Sequence, residues 1–450
     1  IKFMKLLLLI NKHFKQIQNG GLIIFLIKLK SLFYLLIQIP IYFISLLFIP
    51  IIRLISPFFL IRWGFLKSSR IGHLAIDAEL YLCKRSEKIN SPTQRYIDIF
   101  FLSSKYICNR QFYKMLQRKL IFIPSFFLLP LFRINRFFPG GKQHEIGINN
   151  SEDRDIHDIL DKYPPHISFT KEEESKGKKI LRDFQIPEDA KIVCLIVRDS
   201  FYLGRHSASS LEDFNKENTY RDGNIDNYKL AAEELAERGY YVLRMGRDGI
   251  KPFNTNNKKV IDYANTEIRS DFMDVYLGAK CQFCISTGCG FDSIPYIFRK
   301  PIAYIQQVLG HMHTERKQDL LLLQPHFNKK NNQKLNMNQI FLSNLVVAEN
   351  SDDFEKENIF LGENTPQEIK DFVIEMEERS RSVWKESEED ILLQIKFWNL
   401  FQKILEKVDI TKFDKIEKRN KIFVINLMRN IKKKAKFSSK FLKENKVWIQ

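Results

Sequence analysis

His73 and Asp77 stand four residues apart in RIGHLAIDAELYL, directly after a glycine. On a helix that spacing puts the imidazole and the carboxylate on one face, where the carboxylate can orient the ring for proton transfer. Gly72 follows a short extended run and opens the helix, and a glycine at a helix start admits close approach of a ligand. The plainer reading of the pair is an ordinary polar helix face.

In ISTGCGFDS, Ser286, Thr287, Gly288 and Gly290 bring hydroxyls and unhindered N–H groups to a helix start that carries Asp292. A fold can bind diphosphate that way without a metal; turn chemistry alone is the alternative. Arg198 ends the apolar run KIVCLIV, and its bidentate fork suits a leaving group that gains negative charge, with a salt bridge to Asp199 or Asp222 as the competing role. A long polar loop follows, and loops of that length serve as lids or binding elements, with Arg205, His206, Tyr220 and Arg221 as candidates. His311 and His313 follow a later strand and suit substrate contact better than metal, because no carboxylate sits at ligand spacing.

Metal sites find little support. Cys281, Cys284 and Cys289 lack a fourth ligand and fall on differing faces of an apolar strand, so packing is the expected role. Asp153 and Asp155 have the spacing of a metal-binding acidic pair, but they lie in a polar turn where capping competes. Six cysteines in 450 residues, with no cleavage pattern ahead of them, read as reduced thiols rather than a disulfide framework.

The elements that must hold these residues alternate. KIVCLIV, YYVLRMG, KVIDYA, CQFCIST and PIAYI read as strands, separated by helices such as NYKLAAEELAERG and RSDFMDVYLGAK, the second capped by Ser270. That order builds a doubly wound parallel sheet whose ligand crevice lies beyond the carboxyl ends of its strands. The rule points to Arg198, Gly246, Tyr263 and the Ser286 to Asp292 loop. Upstream, RYIDIFFLSS followed by a helix capped by Asn109 reads as a further βα unit.

Charge sits at the ends. Residues 1–70 carry ten basic and no acidic side chains and residues 401–450 fifteen against five, which leaves −2 of the net +18 for the body. A nearly neutral body argues against a nucleic-acid groove, and basic ends beside apolar segments suit anionic lipid. Residues 31–52 run without a charge, long enough to cross a bilayer core, but Pro40, Pro50 and Pro57 and basic flanks on both sides keep an in-plane or re-entrant segment open. Near the C-terminus, PQEIKDFVIEMEERS and EEDILLQIKFWNLFQKIL read as amphipathic helices, the first with Thr365 as N-cap and Pro366 at its first position. The last residues mix aromatics with lysines, as an interfacial helix or a solvated basic tail would.

The resulting division is a membrane-associated segment at 1–66, an acceptor-side α/β lobe at 67–185, a Rossmann-like lobe at 186–330, a helical extension at 331–405 and a basic tail at 406–450. Across about residues 68–400, RIGHLAIDAELYL, DRDIH, RDGNIDNYKLAAEELAERGYYVLRMG, RSDFMDVYL, ISTGCGFDSIPYIFRKP and ENTPQEIKDFVIEM together resemble a family of uncharacterised bacterial glycosyltransferases.

Similarity to GT-B enzymes implies two Rossmann-like lobes, metal-independent transfer and no cofactor beyond a nucleotide-sugar substrate. By position, Gly288 and Gly290 would hold donor phosphates, Arg198 would stabilise the leaving group, and Asp77 or His73 would face the acceptor as base. Gly72, Arg205, His206, Arg221 and His311 fall to the acceptor or lid side. The expected partners are a nucleotide-sugar, a lipid-linked or cell-surface polysaccharide acceptor and anionic membrane lipid, with no nucleic acid and with the lobes on the cytoplasmic side of the inner membrane. Two rivals stay open: transfer of another group such as pyruvyl on a similar fold, and a non-catalytic, membrane-anchored glycan- or nucleotide-binding protein.

Overall fold

A computed structural model describes residues 2–147, 154–199, 219–247, 251–413 and 415–449. The chain is mixed α/β and divides into two compact units. Unit 1 takes residues 1–66, 90–103 and 120–147, and unit 2 takes 67–89, 104–119 and 148–450.

In chain order the strands are β1 (Phe59–Leu66), β2 (Arg95–Leu102), β3 (Ile121–Phe122), β4 (Ile192–Ile196), β5 (Tyr241–Arg244), β6 (Val260–Ile261), β7 (Phe283–Ser286), β8 (Ile302–Gln307), β9 (Leu320–Leu323), β10 (His326–Asn328), β11 (Ile359–Leu361) and β12 (Lys436–Phe437). The helices used below are α1 (Lys2–Ile55), α2 (Ile71–Ser86), α3 (Arg110–Gln117), α4 (Ser125–Asn135), α5 (Lys171–Asp183), α6 (Lys229–Glu237), α7 (Asp271–Lys280), α8 (Ser293–Ile297), α9 (Pro366–Ser380), α10 (Glu388–Lys407) and α11 (Lys415–Asn430).

Unit 1 is built on a three-stranded parallel sheet, β1-β2-β3, with Phe59 opposite Arg95 and Leu66 opposite Leu102. Its core gathers Ile49, Ile52, Trp63, Phe101, Leu128 and Phe132 from α1, the sheet and α4. The long α1 breaks its helical geometry at Gly21, where φ is 58°, and carries Pro40 and Pro50 inside. Its stretch Leu36–Ile55, with a mean hydropathy of 2.0, is long and apolar enough to cross a membrane.

Unit 2 holds a seven-stranded parallel sheet in the order β12-β9-β8-β7-β4-β5-β6. Read outward from β4, this is the doubly wound arrangement, with the chain turning back on itself between β4 and β7. β4 and β7 are buried along their whole length, which is why IVCLI and FCIS are unbroken apolar runs apart from the final serine. The caps read from the sequence are made: Asn109 accepts from Phe112 N, Ser270 from Met273 N and Thr365 from Glu368 N, the last in a capping box with Pro366 behind it.

Two features depart from the expected division. The elements expected together in 67–185 separate: α2, α3 and α5 join unit 2, while β2 and α4 join unit 1. Long-range contacts explain the transfer, since Asn109 Nδ2 donates to Asp271 O at 2.8 Å and Arg110 N to Asp271 Oδ2 at 2.8 Å. Where a basic tail is expected, β12 instead adds an edge strand to the main sheet, Lys436 opposite Leu320 and Phe437 opposite Leu321. The lysines there are engaged: Lys421 is buried and donates to Val347 O at 2.8 Å, and Lys436 pairs with Glu386 at 2.6 Å.

Candidate functional site

The candidate residues converge in unit 2 on the carboxyl ends of β4 and β7. The two strand ends are tied together there: Thr287 N donates to Ile196 O at 3.3 Å, and Arg198 N to Thr287 Oγ1 at 2.9 Å. This is the place where a doubly wound sheet opens a crevice, because the crossovers leave it in opposite directions.

The loop after β7 is closed on itself. Ser286 Oγ donates to Asp292 Oδ2 at 2.7 Å and accepts from Gly288 N at 2.9 Å, while Asp292 Oδ2 also accepts from Cys289 N at 2.8 Å. The N–H groups of Thr287 and Gly288, which the sequence offered to a phosphate, are thus used within the protein, as is that of Cys289. Asp292 acts as the organiser of the loop, and burial pushes its carboxyl up to about 6.

Gly288 sits at φ 76°, and a side-chain carbon there would approach Gln307 Nε2 to 3.3 Å and Arg221 Nη2 to 3.7 Å. Gly290 has a different purpose: its Cα lies 3.4 Å from where a side chain on Gly72 would begin, so the start of α2 rests directly on this loop. Ser293 Oγ strengthens the seam, donating to Gly290 O at 2.7 Å and reaching Ile71 O at 3.4 Å.

What the loop lacks in free N–H groups, guanidinium groups supply. The Arg221 guanidinium donates to Gly288 O and makes no ion pair among the described residues. Arg198 is buried, and its guanidinium pairs with Asp222, the competing role read from the sequence. Burial lowers the Arg198 guanidinium from its ordinary value against the pull of Asp222, and Arg221 stands near enough to lower it further.

His311 joins the group. Burial, together with Arg221, His313 and Arg154 nearby, holds its imidazole well below the ordinary value. His313 stacks on Tyr304 with ring centres 5.5 Å apart, and burial beside Arg154 lowers it to about 4. Arg154 is the residue to which the sequence assigned no role: it forms a buried ion pair with Glu315 and donates to Met312 O at 2.9 Å. Arg221 and Arg154 therefore stand beside two neutral histidines, while Arg198 lies near Arg221, with Asp222 paired to Arg198 and Glu315 to Arg154.

The helix α2 brings in His73 and Asp77, one turn apart on a single face. Asp77 is buried, and burial together with Lys67 and Arg70 lowers His73 to about 4, so its imidazole is neutral at pH 7. Gly246 ends β5 with φ 134°, and a side-chain carbon there would meet Ile196 and Ala264. Tyr263 is fully buried and donates its hydroxyl hydrogen bond to Asp274 Oδ1 at 2.8 Å, bracing the start of α7. Asp155 accepts from Ile159 N at 3.1 Å and Leu160 N at 2.8 Å, as a turn cap does. Arg205, His206 and Asp153 lie outside the described residues.

Among the described residues, one group of metal-capable side chains gathers: Glu79, Cys83 and His166. A fixed cation already stands among them, because Arg299 Nη2 donates to Glu79 Oε1 at 2.7 Å and lies 3.6 Å from Cys83 Sγ. Burial, with Glu79 close by, pushes the Cys83 thiol up to about 12, so it holds its proton. The cluster binds α2 to the end of α8 and to the 163–168 segment.

No family model and no curated protein matches the chain. Solved structures similar to it include a glycosyl transferase of family 9 from Veillonella parvula DSM 2008, at 10% identity and a TM-score of 0.33, covering 54% of this chain and 79% of that one. The E. coli ADP-heptose lps heptosyltransferase II is similar at 12% identity and a TM-score of 0.34, with 55% and 86% covered. Scores of this size place the chain in no family and lend it no substrate.

Proposed function

We propose that the chain is a glycosyltransferase that moves a sugar from a nucleotide-activated donor to a lipid-linked or cell-surface polysaccharide acceptor at the cytoplasmic face of the inner membrane. The observation that carries this reading is Arg221, a guanidinium fixed to the Gly288 carbonyl at the turning point of a doubly wound sheet, with no carboxylate partner among the described residues. An anion belongs beside it. A nucleoside diphosphate gains negative charge as its bond to the sugar breaks, and a preorganised cation there favours the transition state over the bound donor. The reaction class itself is drawn from the sequence blocks that resemble bacterial glycosyltransferases.

In this reading Arg198 adds to the field at the diphosphate while Asp222 holds it in place. His73 is neutral at working pH and takes the proton of the acceptor hydroxyl, with Asp77 orienting the ring. Ser286 and Asp292 keep the loop in shape rather than touching the donor.

The test is transfer by the full chain from radiolabelled UDP-, GDP-, TDP- and CMP-sugars into a lipid-linked glycan fraction. Label in the lipid fraction with one donor class, lost in His73→Gln and Asp77→Asn, supports the reading. Donor binding without transfer, and indifference to both substitutions, would make the chain a binding protein.

A further inference from the structure

Unit 1 holds twelve Lys or Arg side chains and only two carboxylates, Asp98 and Glu145. Both are engaged, Asp98 with Arg62 at 2.6 Å and Glu145 with Arg136 at 2.8 Å. The unit is therefore strongly cationic, and it also exposes a continuous apolar face. α1 turns Gln38, Ser45, Ile49 and Ile52 inward, a stripe with steps of seven, four and three residues that fastens the helix to the unit. Its other side presents Ile39, Phe43, Leu47 and Leu54, the last 78% exposed.

α4 repeats this pattern. It buries Leu128 and Phe132 against α1 and the sheet, and it leaves Phe127 exposed, with Phe137 just beyond its end 84% exposed. At 11 residues it is about 16 Å long, half the depth of a hydrocarbon core of roughly 30 Å.

Two polar contacts at the end of α4 fix the orientation of the pair. Arg133 Nη1 donates to Tyr42 Oη at 2.7 Å, and the Arg53 guanidinium donates to Asn135. Tyr42 and Arg53 lie about 16 Å apart along α1, yet both meet the last turn of α4. With α1 upright in a bilayer, the Arg133–Tyr42 contact would lie deeper in the hydrocarbon than the Arg53–Asn135 contact, where an arginine costs several kcal/mol. With α1 in the membrane plane, both stay at headgroup level.

We propose that the Gln38–Ile55 part of α1 and the whole of α4 lie together in one leaflet of an anionic bilayer, parallel to its surface, with the exposed Arg133 at the level of the lipid phosphates. The occupant of the apolar face is lipid rather than a second copy, because the excess of like charge in unit 1 repels its own copy and attracts acidic headgroups. This seating holds whatever the reaction in unit 2.

The test uses the full chain on vesicles of three parts phosphatidylcholine to one part phosphatidylglycerol. Single tryptophans replace Ile39, Phe43, Leu47, Leu54, Phe127 or Phe137, all exposed, and each is read as the increment over the native fluorescence. Lipids brominated close to the glycerol should quench every position along α1 equally, and Phe127→Trp and Phe137→Trp with them; lipids brominated at the chain end should quench less. A graded depth from Leu54 to Ile39 would mean that α1 crosses the bilayer and would overturn the proposal. So would tryptophans at 127 and 137 that escape quenching, or the absence of quenching at every position.

Discussion

The guanidinium of Arg221 and the carbonyl of Gly288 are hydrogen-bonded, which anchors an arginine without a carboxylate partner among the described residues to the loop that closes β7. Arg198, at the end of the neighbouring β4, is buried and paired with Asp222. The two arginines should therefore respond differently to removal. Arg221→Ala should lower the unfolding midpoint of the free protein only slightly, since the group it leaves without its donor is the Gly288 carbonyl rather than a carboxylate. Arg198→Ala should cost about 1.5–3 kcal/mol, the worth of hydrogen bonds to a charged group, in denaturant titration. Equal losses would mean that Arg221 is structural.

Gly288→Ala introduces a side-chain carbon at φ 76°, a conformation that costs an L-residue roughly 1–2 kcal/mol, and sets it 3.3 Å from Gln307 and 3.7 Å from Arg221. Stability should fall by about that amount. Any loss of anion affinity beyond that would act through Gln307, the neighbour that must give way, since Arg221 at 3.7 Å is in ordinary contact. Gly246→Ala is the companion: its φ of 134° brings similar strain but its neighbours are the apolar Ile196 and Ala264, so stability should drop without a specific loss of anion binding.

His73 gives a pH signature. Its folded value of about 4 lies below the ordinary 6.5, so between these two the unfolded chain binds the extra proton. The stabilisation it contributes is complete above about pH 6.5 and is lost as pH falls to about 4. The imidazole resonances of His73 should titrate with a midpoint near 4, and the stability gap between the native protein and His73→Gln should change over that window. A midpoint near 6.5 would mean that burial does not depress the imidazole, and the pH-dependent stability gap would vanish.

Much of this was legible in the sequence and some was not. The central strands β4, β5, β7 and β8 announce themselves as apolar runs bounded by turn residues, and Asn109, Ser270 and Thr365 announce their caps, because strand burial and capping are local chemistry. β12 gives no such signal: it is two residues, Lys436–Phe437, paired to β9 from more than a hundred residues away. Arg154 reads as part of a polar turn until Glu315, 161 residues on, is beside it. The glycine loop is legible as a candidate site, but only the folded chain brings its N–H groups onto Ser286, Asp292 and the Ile196 carbonyl.

The C-terminal strand makes a further prediction. Phe437 is fully buried with its ring 4.2 Å from that of Phe397, so Phe437→Ala should cost about 3–5 kcal/mol in denaturant unfolding. A solvated tail would lose nothing.

The central claim is that an activated sugar's diphosphate sits at the turning point of the unit 2 sheet. Its most direct test is the thermal shift of the full chain with UDP-, GDP-, TDP- and CMP-sugars, where a ligand at 100 times its dissociation constant stabilises by about 2.7 kcal/mol. The account predicts stabilisation by one nucleotide class that disappears in Arg221→Ala while the unliganded midpoint falls only slightly. A shift that survives Arg221→Ala, or no shift with any of the four, would contradict it.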